Sequence, residues 1–302
     1  MPSAAIPYRF FRAEVSAIVD LSPSFRRFTF RGDDLAHYGD PGFDQRVTIV
    51  FPTATASLDA MPTDEGWQKR WRELPEEQRP PFRTYTTRYV RNHLSEVDID
   101  MVSHEVLGPA SEWIARARIG DEVLIIAPTR AHIGVSYGID FVPPARVDHI
   151  LLAGDETAAP AIATILEQLP REARGVVAVE VPHADDVTYL PHHPGFEYRV
   201  GARDDAERHS HLVSSVTDAA TALAPAGQGS DVEEIDVDHD ILWEVPRTAR
   251  GGAALKSARL YAWLAGEAGA IKALRRHLVT ERGVDRRAVA FMGYWRVGRP
   301  EN

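Results

Sequence analysis

The sequence predicts two domains: an all-β domain followed by an α/β domain whose strands form a parallel sheet. Three observations support this fold class. The chain has 302 residues, 44% of them hydrophobic, which exceeds the usual size of one domain. Its first part contains short alternating segments bounded by Pro, Gly, Asp or Ser, a pattern typical of strands. After FVPPA (141–145), strands alternate with amphipathic helices, so we assign residues 1–143 to the first domain and residues 144–302 to the second.

Six segments of the first domain are predicted to be strands. They are AEVSAIVD (13–20), FRRFTFRG (25–32), QRVTIVFP (45–52), RTYTTRYV (83–90), VDIDMVSHEV (97–106) and DEVLIIAP (121–128). Six strands of this length form a small barrel or a sandwich. The segment SEWIARARI (111–119) is predicted to be a helix with Ser111 as its N-cap. Residues 52–82 are polar and charged and are predicted to be a loop or an insertion.

The second domain alternates strands with helices. The predicted strands are DHILLAGDET (148–157), RGVVAVEV (174–181) and ARLYAWLAGE (258–267), and the predicted helices are APAIATILEQL (159–169) and AGAIKALRRHLVTERG (268–283), the latter ending on Gly283. Strands in this arrangement form a parallel sheet whose two faces are covered by helices. Residues 203–240 are acidic and rich in Ala, Gly and Ser, and they are predicted to be a second loop or insertion.

Composition excludes several classes of protein. The formal net charge of −10 argues against a nucleic-acid-binding protein, which needs surplus Lys and Arg to neutralise phosphates. The absence of cysteine excludes disulfides, zinc–thiolate sites, cysteine-ligated iron–sulfur clusters and a cysteine nucleophile. It also fits a reducing cytoplasm, where we expect the protein. No apolar run is long enough for a signal peptide or a membrane span, so we expect no membrane insertion.

A loop that leads into a helix is a candidate anion site in the second domain. AGDETAAPA (153–161) follows a predicted strand, and open parallel sheets bind ligands at the carboxyl ends of their strands. Backbone N–H groups and the helix dipole could hold a phosphate there. The alternative is a capped helix, in which Asp155 or Thr157 satisfies the N–H groups and nothing binds.

The arginine-rich strand RTYTTR (83–88) is a second candidate site. Alternation places Arg83 and Tyr85 on one face and Thr84 and Thr86 on the other. A tyrosine ring, a threonine hydroxyl and an arginine fork suit a flat heteroaromatic ring joined to a pyrophosphate. The alternative is an exposed edge strand with solvated cations. LGPASEW (107–113) is a second loop-to-helix anion site in the same domain.

Five motifs follow one another along nearly the whole chain. They are RTYTTR (83–88), HEVLGPASEW (104–113), GDETAAPAI (154–162), WLAGEAGAIKALRRHL (263–278) and GYWRVG (293–298). Together and in this order they resemble the siderophore-interacting proteins, flavin-dependent ferric-siderophore reductases of the ferredoxin-reductase-like superfamily. The resemblance implies a Greek-key FAD-binding barrel followed by a nicotinamide-nucleotide-binding domain.

The resemblance also assigns site residues. It places Arg83, Thr84, Tyr85 and Thr86 at the flavin and its diphosphate, His104, Gly108, Ala110 and Ser111 at the rest of FAD, and Asp155, Thr157, Ala265, Gly266 and Glu267 beside the nicotinamide nucleotide. On this interpretation the arginines of the strand neutralise a diphosphate. Trp295 would cover or shape the isoalloxazine pocket, although an aromatic residue near a C-terminus usually completes a core.

The sequence departs from the family pattern at two places. Typical members carry a lysine where this chain has Thr48, and Arg46 lies two residues earlier on the same face. We therefore predict that cations capture an anionic iron complex, with Arg46, Arg130 and Arg247 as candidates, although each could also lie on a solvated surface. Plant-type ferredoxin reductases have a Cys–Gly pair where this chain has Met292 and Gly293, which favours the siderophore branch.

The activity that the resemblance implies is the reduction of Fe(III) in a siderophore complex. FAD would take a hydride from NADH or NADPH and pass its electrons singly to the iron, which leaves as Fe(II). No protein metal site is required, and His192 and His193 are predicted to be solvated loop residues. Arg275 and Arg276 could reach the 2′-phosphate of NADPH or could simply favour the end of a helix. The choice between NADH and NADPH as electron donor therefore stays open. The alternatives are a flavin oxidoreductase that exchanges electrons with a protein such as ferredoxin, and a binding module that has lost the cofactor.

Overall fold

The computed structural model describes residues 8–103, 108–132, 138–224, 242–248 and 251–298. The chain divides into two compact units. The first is formed mainly by the residues up to Leu21 and by Phe25–Ile139, and the second by Ser22–Ser24 and Asp140–Pro300. Within the described residues, none of the helices combines the length and the apolar composition that crossing a bilayer requires.

The first unit is a closed six-stranded barrel. Its strands are β1 (Tyr8–Asp20), β2 (Phe25–Arg31), β3 (Arg46–Val50), β4 (Phe82–Arg91), β5 (Glu96–Val102) and β6 (Glu122–Pro128). Antiparallel neighbours follow the order β1–β2–β5–β4–β3–β6, and β6 closes onto β1. Alternate side chains point inward, and the barrel core includes Phe11, Phe28, Ile49, Ile99 and Ile125. The predicted antiparallel barrel is therefore confirmed.

Two helices accompany the barrel, α1 (Trp67–Glu73) and α2 (Pro109–Arg116). Helix α2 begins earlier than the sequence analysis predicted, because Gly108 is its N-cap and Pro109 is its first residue. Proline favours this position, since its fixed φ suits a helix and its missing N–H would have no partner there. The Gly108 N–H donates to Ser111 Oγ at 3.0 Å, and the Ser111 hydroxyl donates to the Gly108 carbonyl at 2.9 Å. The prediction of Ser111 as N-cap was wrong.

The segment 52–82, which the sequence analysis predicted to be a loop or an insertion, is a packed layer on the outside of the barrel. Trp67 and Trp71, one helical turn apart in α1, pack against the same apolar cluster as Leu58 and Met61. That cluster includes Val50 of β3 and residues of β6. The charged residues of WQKRWRE obscured this apolar face in the sequence.

The second unit is a six-stranded sheet with helices. Its elements in chain order are β7 (Arg146–Gly154), α3 (Ala159–Gln168), β8 (Gly175–Val181), β9 (Phe196–Ala202), α4 (Ser210–Leu223), β10 (Trp243–Glu244), β11 (Ser257–Glu267), α5 (Ala268–Arg276) and β12 (Val289–Trp295). The strand order is β10–β12–β11–β7–β8–β9, and all neighbours are parallel except β10 with β12. The predicted α/β unit with a parallel sheet is confirmed.

Sequence patterning missed β9, β12 and α4. Helix α4 lies inside the segment 203–240, which was predicted to be a loop or an insertion and of which residues 225–240 fall outside the described residues. Its buried face includes Leu212, Val216, Ala219 and Ala220. Small residues let the helix pack closely on the sheet but give a weak hydrophobic signal. The helix predicted to continue to Gly283 ends at Arg276 and is followed by a π-helical turn, His277–Glu281.

A buried carboxylate on β8 caps the start of α4. Glu180 is fully buried and accepts hydrogen bonds from the backbone N–H groups of His209 at 2.7 Å, His211 at 3.1 Å and Leu212 at 3.3 Å. Arg203, which directly follows β9, contacts the same carboxylate at 3.5 Å. A negative charge at a helix N-terminus is favourable, so Glu180 fixes the helix to the sheet.

We expect Glu180→Gln to lower the free energy of unfolding by about 2–4 kcal/mol, because an amide NH₂ group would face donors that now bind a carboxylate. Urea denaturation followed by circular dichroism measures the change. The matched control is Glu207→Gln, an exposed residue close to the same helix start, which should change stability little. Equal stability of the two variants would contradict the capping role.

Candidate functional site

Two of the arginines in β4 form ion pairs on the outer face of the barrel. Arg91 makes two hydrogen bonds to Asp98, at 2.6 and 2.7 Å. The buried Arg88 contacts Asp100 at 3.1 Å, and Arg27 of β2 binds the same carboxylate at 2.7 and 2.8 Å. These arginines therefore neutralise acids of β5. The prediction that the arginines of RTYTTR neutralise a diphosphate was wrong for Arg88, and Arg91, at the end of the same strand, is likewise bound to acids.

The alternation of β5 explains this ion-pair network. Val97, Ile99 and Met101 point into the barrel, so Glu96, Asp98 and Asp100 point outward. These three acids are nevertheless almost fully buried, because arginines from the two neighbouring strands cover them. Buried carboxylates need paired charges, and the arginines of β2 and β4 supply them.

Arg83 is different from the other arginines of β4. It is partly buried at the start of the strand and donates to the Phe82 carbonyl at 2.7 Å. Within the described ranges it has no ion pair with a carboxylate. Of its neighbours, Thr84 is exposed, Tyr85 packs against the barrel core and Thr86 is buried. Arg83 is thus available to bind an anion that the chain itself does not provide.

Helix α2 lies at the same end of the barrel as the start of β4. The Phe51 ring packs against Tyr85 at 6.2 Å and against Trp113 of α2 at 4.9 Å between ring centroids. Ala110 is buried in the barrel core, whereas a Cβ added at Gly108 would meet no atom within 4 Å. The start of α2 is therefore open among the described residues, and Trp113 of the same helix shares the Phe51 ring with Tyr85. His104 lies outside the described residues.

These groups fit a flavin nucleotide. An arginine without a carboxylate partner and the first turn of α2 are suitable donors for a diphosphate. The partly buried Tyr85 ring offers a surface for a flat heteroaromatic group. The Ser111 hydroxyl is hydrogen-bonded to Gly108, so it orients the helix start.

The three cations predicted to capture an iron complex have different surroundings. Arg46 is partly buried on β3, opposite Thr86 of β4, and Arg130 is exposed in the turn after β6. Arg247 belongs to the second unit and contacts the buried Asp140 at 2.7 Å, so its charge is largely compensated. Arg130 therefore retains the most exposed charge of the three.

Asp155 is the centre of the site in the second unit. Its fully buried carboxylate accepts from the Thr157 N–H at 2.9 Å and the Thr157 hydroxyl at 2.5 Å through Oδ1. Through Oδ2 it accepts from the Glu267 N–H at 2.8 Å and the Trp295 indole N–H at 2.9 Å. One side chain thus joins the carboxyl ends of three parallel strands, β7, β11 and β12.

The turn after β11 is built around this carboxylate. Gly266 has φ = +146°, and a Cβ at this position would lie 2.6 Å from Asp155 Oδ2, so only glycine fits. The Glu267 side chain caps α5 by accepting from the Ala270 N–H at 2.9 Å. The structure therefore brings together the predicted residues Asp155, Thr157, Ala265, Gly266, Glu267 and Trp295.

Several N–H groups at and just before the start of α3 already have partners within the chain. Those of Thr157 and Ala158 donate to Asp155, and that of Ala159 donates to the Glu156 carbonyl at 3.4 Å. Pro160 has no N–H. The Asp155 side chain therefore binds an N–H group that precedes the helix, whereas Ala158, the N-cap of α3, makes no side-chain cap hydrogen bond, so the capped-helix alternative is met only in part.

Sequence reasoning missed a charged group beside Asp155. Glu156 is fully buried and lies 3.5 Å from Arg203 and 3.8 Å from Arg208. The Arg208 guanidinium lies 5.4 Å from the centre of a Trp295 ring, and the His209 ring lies 6.2 Å from Trp295. A strand ending at Ala202 would have placed Arg203 at the carboxyl edge of the sheet, but β9 was not predicted.

Other predicted polar residues are structural in this fold. His193 is buried, accepts from the Gly195 N–H at 3.1 Å and lies 3.2 Å from the Pro170 carbonyl. The prediction of a solvated loop residue was therefore wrong for His193, whereas His192 is exposed. Arg275 is buried and pairs with Glu244 at 3.0 Å, so its charge is compensated within the chain.

A closed barrel followed by a parallel α/β unit is the fold of FAD-binding reductases. A family model described as "Siderophore-interacting FAD-binding domain" matches residues 14–132, and one described as "Siderophore-interacting protein" matches residues 147–298. The chain belongs to the siderophore-interacting protein family.

Relatives share this organisation over nearly their full length. The Mycobacterium tuberculosis protein Rv2895c is 30% identical over 95% of this chain and 90% of its own length. The ferric vibriobactin reductase ViuB of Vibrio cholerae is 26% identical over 93% of this chain and 87% of its own. The crystal structure of the siderophore-interacting protein SipS from Aeromonas hydrophila matches with a TM-score of 0.68 and 27% identity, covering 98% of this chain and 94% of that one.

The pKa of Glu156 gives this site a testable pH dependence. Burial, together with the charge of Asp155, raises the pKa of Glu156 from 4.5 to about 7. Between these values the folded protein holds a proton that the unfolded chain has released. The free energy of unfolding therefore falls as pH rises through this window. The total loss above about pH 7 is up to about 3 kcal/mol.

We expect Glu156→Gln, a neutral side chain of the same shape, to be more stable than the wild type by about 1–3 kcal/mol at about pH 8 and nearly equal to it at about pH 5. Urea denaturation at both pH values measures the difference. Glu172→Gln, at an exposed position, is the control. An unchanged pH slope in Glu156→Gln would contradict the raised pKa.

Proposed function

We propose that this protein is an NAD(P)H-dependent ferric-siderophore reductase that uses FAD and releases Fe(II). The observation that carries the proposal is the contrast among the arginines of β4. Arg88 and Arg91 are bound to carboxylates of the barrel, whereas Arg83 has no carboxylate partner in the described parts of the chain. Membership of the siderophore-interacting family and the similarity to a ferric vibriobactin reductase support the same function.

In this proposal the barrel holds FAD. Arg83 binds the diphosphate, and Thr84, Tyr85 and Thr86 lie along the flavin. The start of α2, with Gly108, Ala110 and Ser111, offers backbone N–H groups to the rest of the cofactor, and His104 is assigned there by the family resemblance alone. When bound, FAD accepts a hydride and releases its electrons one at a time, which matches a two-electron donor to one-electron iron.

The second unit binds NADH or NADPH in this proposal. Asp155 does not need to touch the nucleotide, because all its strong acceptor positions are already used within the chain. It instead fixes the ends of the strands on which Ala265, Gly266, Glu267 and Trp295 lie. We assign Asp155 and Thr157 as positioning residues of the donor site.

Capture of the iron complex depends on local charge. A protein of net charge −10 repels an anionic ferric siderophore at long range, so productive encounter needs a positive patch that acts within about 8 Å. We propose Arg130 as the main contributor, with Arg46 and Arg247 as further candidates. The absence of cysteine is the basis for proposing the cytoplasm as the location of the reaction.

Arg83→Ala should fold normally but purify depleted of FAD. A charge-assisted bond to a diphosphate contributes about 1.5–3 kcal/mol, which corresponds to roughly 10- to 150-fold in affinity. The ratio of flavin to protein absorbance and a titration with FAD measure this loss. The control is Arg31→Ala, which removes a surface arginine that pairs with Glu96 on the same barrel. If Arg83→Ala purified with a full complement of FAD, the assignment of Arg83 to the FAD diphosphate would be wrong.

Anaerobic stopped-flow spectroscopy tests the function as a whole. NADH or NADPH should bleach the flavin absorbance of the purified protein, and a ferric siderophore should then restore it while a chelator traps Fe(II). With an anionic complex, reoxidation should slow as salt is added, because salt screens the attraction to the positive patch. Oxidised ferredoxin is the comparison. If ferredoxin reoxidises the reduced flavin rapidly and the ferric siderophore does not, the electron acceptor is a protein and the proposed function is wrong.

A further inference from the structure

One edge of the sheet in the second unit is an unpaired strand. β9 (Phe196–Ala202) is the last strand in the sheet order, so β8 pairs with one of its sides and no described residue forms a strand on the other. The opposite edge is β10, which has only two residues and offers little backbone for pairing. A longer edge strand presents a row of backbone N–H and C=O groups that can pair with another chain.

Alternate residues of β9 direct their backbone groups away from the sheet. The Gly195 carbonyl accepts a hydrogen bond from β8 at 3.1 Å, and the Arg203 N–H donates to β8 at 2.8 Å. Because backbone groups alternate in direction along a strand, the odd-numbered residues between them also point toward β8. The N–H and C=O groups of Tyr198 and Val200 therefore point outward, and they have no backbone partner in the described parts of the chain.

β9 lacks the features that usually protect an open edge. It contains no proline and no lysine, and no bulge interrupts its pairing with β8. Its two charged residues, Glu197 and Arg199, contact each other at 2.7 Å and so lie on the same face of the sheet. Two like charges would repel a second strand, but these charges are opposite. The strand therefore suits a partner strand whose charges follow in the reverse order.

The sequence of β9 is complementary to itself in an antiparallel pair. When Tyr198 lies opposite Tyr198 of a second copy, Glu197 of each copy lies opposite Arg199 of the other. Glu197 and Arg199 then form non-hydrogen-bonded pairs, in which the Cα atoms are about 4.5 Å apart and the side chains are closest. Opposite charges in such cross-strand pairs are stabilising. An axis through Arg199 would instead place two arginines opposite each other.

We propose that two copies of this chain associate through their β9 strands, which pair antiparallel with Tyr198 at the two-fold axis. One continuous sheet then runs through both copies, and the outward N–H and C=O groups of Tyr198 and Val200 obtain partners. A two-fold interface requires a surface that is complementary to itself, and the charges of Glu197 and Arg199 meet this requirement. The inference concerns assembly, so it does not depend on the proposed function.

Analytical ultracentrifugation of the full chain over a range of concentrations tests the proposal. The wild type should show a reversible equilibrium between monomer and dimer. Glu197→Arg should weaken the dimer by about tenfold or more, because two attractive pairs become repulsive. Arg199→Glu should have the same effect through repulsion between glutamates. An equimolar mixture of the two variants should associate as the wild type does, because each arginine again lies opposite a glutamate.

A second pair of variants tests the backbone hydrogen bonds. Val200→Pro removes an outward N–H and should also weaken the dimer, whereas an edge strand tolerates proline where the N–H faces solvent. Val200→Thr is the matched control, since it keeps both the N–H and a β-branched side chain and should dimerise as the wild type does. Thermal melting verifies that each variant is folded.

Three results would overturn the proposal. The first is a wild type that stays monomeric at every concentration. The second is a dimer that Glu197→Arg and Val200→Pro leave unchanged, because its interface would then be a different surface. The third is a mixture of Glu197→Arg with Arg199→Glu that fails to associate, because the antiparallel register through Tyr198 requires these two variants to complement each other.

Discussion

The hydrogen bonds to the buried carboxylate of Asp155 hold together the carboxyl ends of three strands in the second unit. Four donors from three chain segments meet on its two oxygens: two from Thr157, one from Glu267 and one from Trp295. Parallel strands have no direct connection at their carboxyl ends, since each continues into a loop or a helix. A buried acceptor that receives donors from several of these loops gives them one fixed arrangement. The close approach of Gly266 is a consequence, because the carboxylate occupies the space of a side chain.

The same edge of the sheet carries two further buried acids, and each has a different role. Glu180 is satisfied by the start of α4, whereas Glu156 lies near Arg203 and Arg208 and keeps a raised pKa. Three carboxylates so close together repel one another, and ionising all of them without arginines would be costly. The arginines that compensate them leave one cation, Arg208, partly in solvent beside Trp295. The need to balance buried charge thus also accounts for the partly exposed cation beside Trp295.

The barrel shows the same principle on its outer face. Acids of β5 are buried under arginines of β2 and β4, so most of the positive charge of β4 is structural. Only the start of the strand, at Arg83, lies beyond this network, and there α2 and Tyr85 lie at the same end of the barrel. The second half of the strand is therefore held in an ion-pair network, whereas its first half leaves an arginine that the proposed function assigns to FAD.

The sequence by itself determined the two-unit architecture, six barrel strands, three of the parallel strands and the two segments of the second unit that meet at Asp155. These features rest on local periodicity and on glycines and prolines at turns, which a linear pattern records. It did not reveal α4, β9 or β12, because small residues and charges weaken the hydrophobic period and because burial depends on neighbours distant in the chain.

Only the tertiary structure decided which arginines are bound to carboxylates. Arg83, Arg88 and Arg91 are the same residue type in the sequence. Acids of β5 lie beside Arg88 and Arg91 but not beside Arg83. In the same way, Arg208 and His209 meet Trp295 only because the sheet brings the start of α4 to the end of β12, more than 80 residues away in the chain.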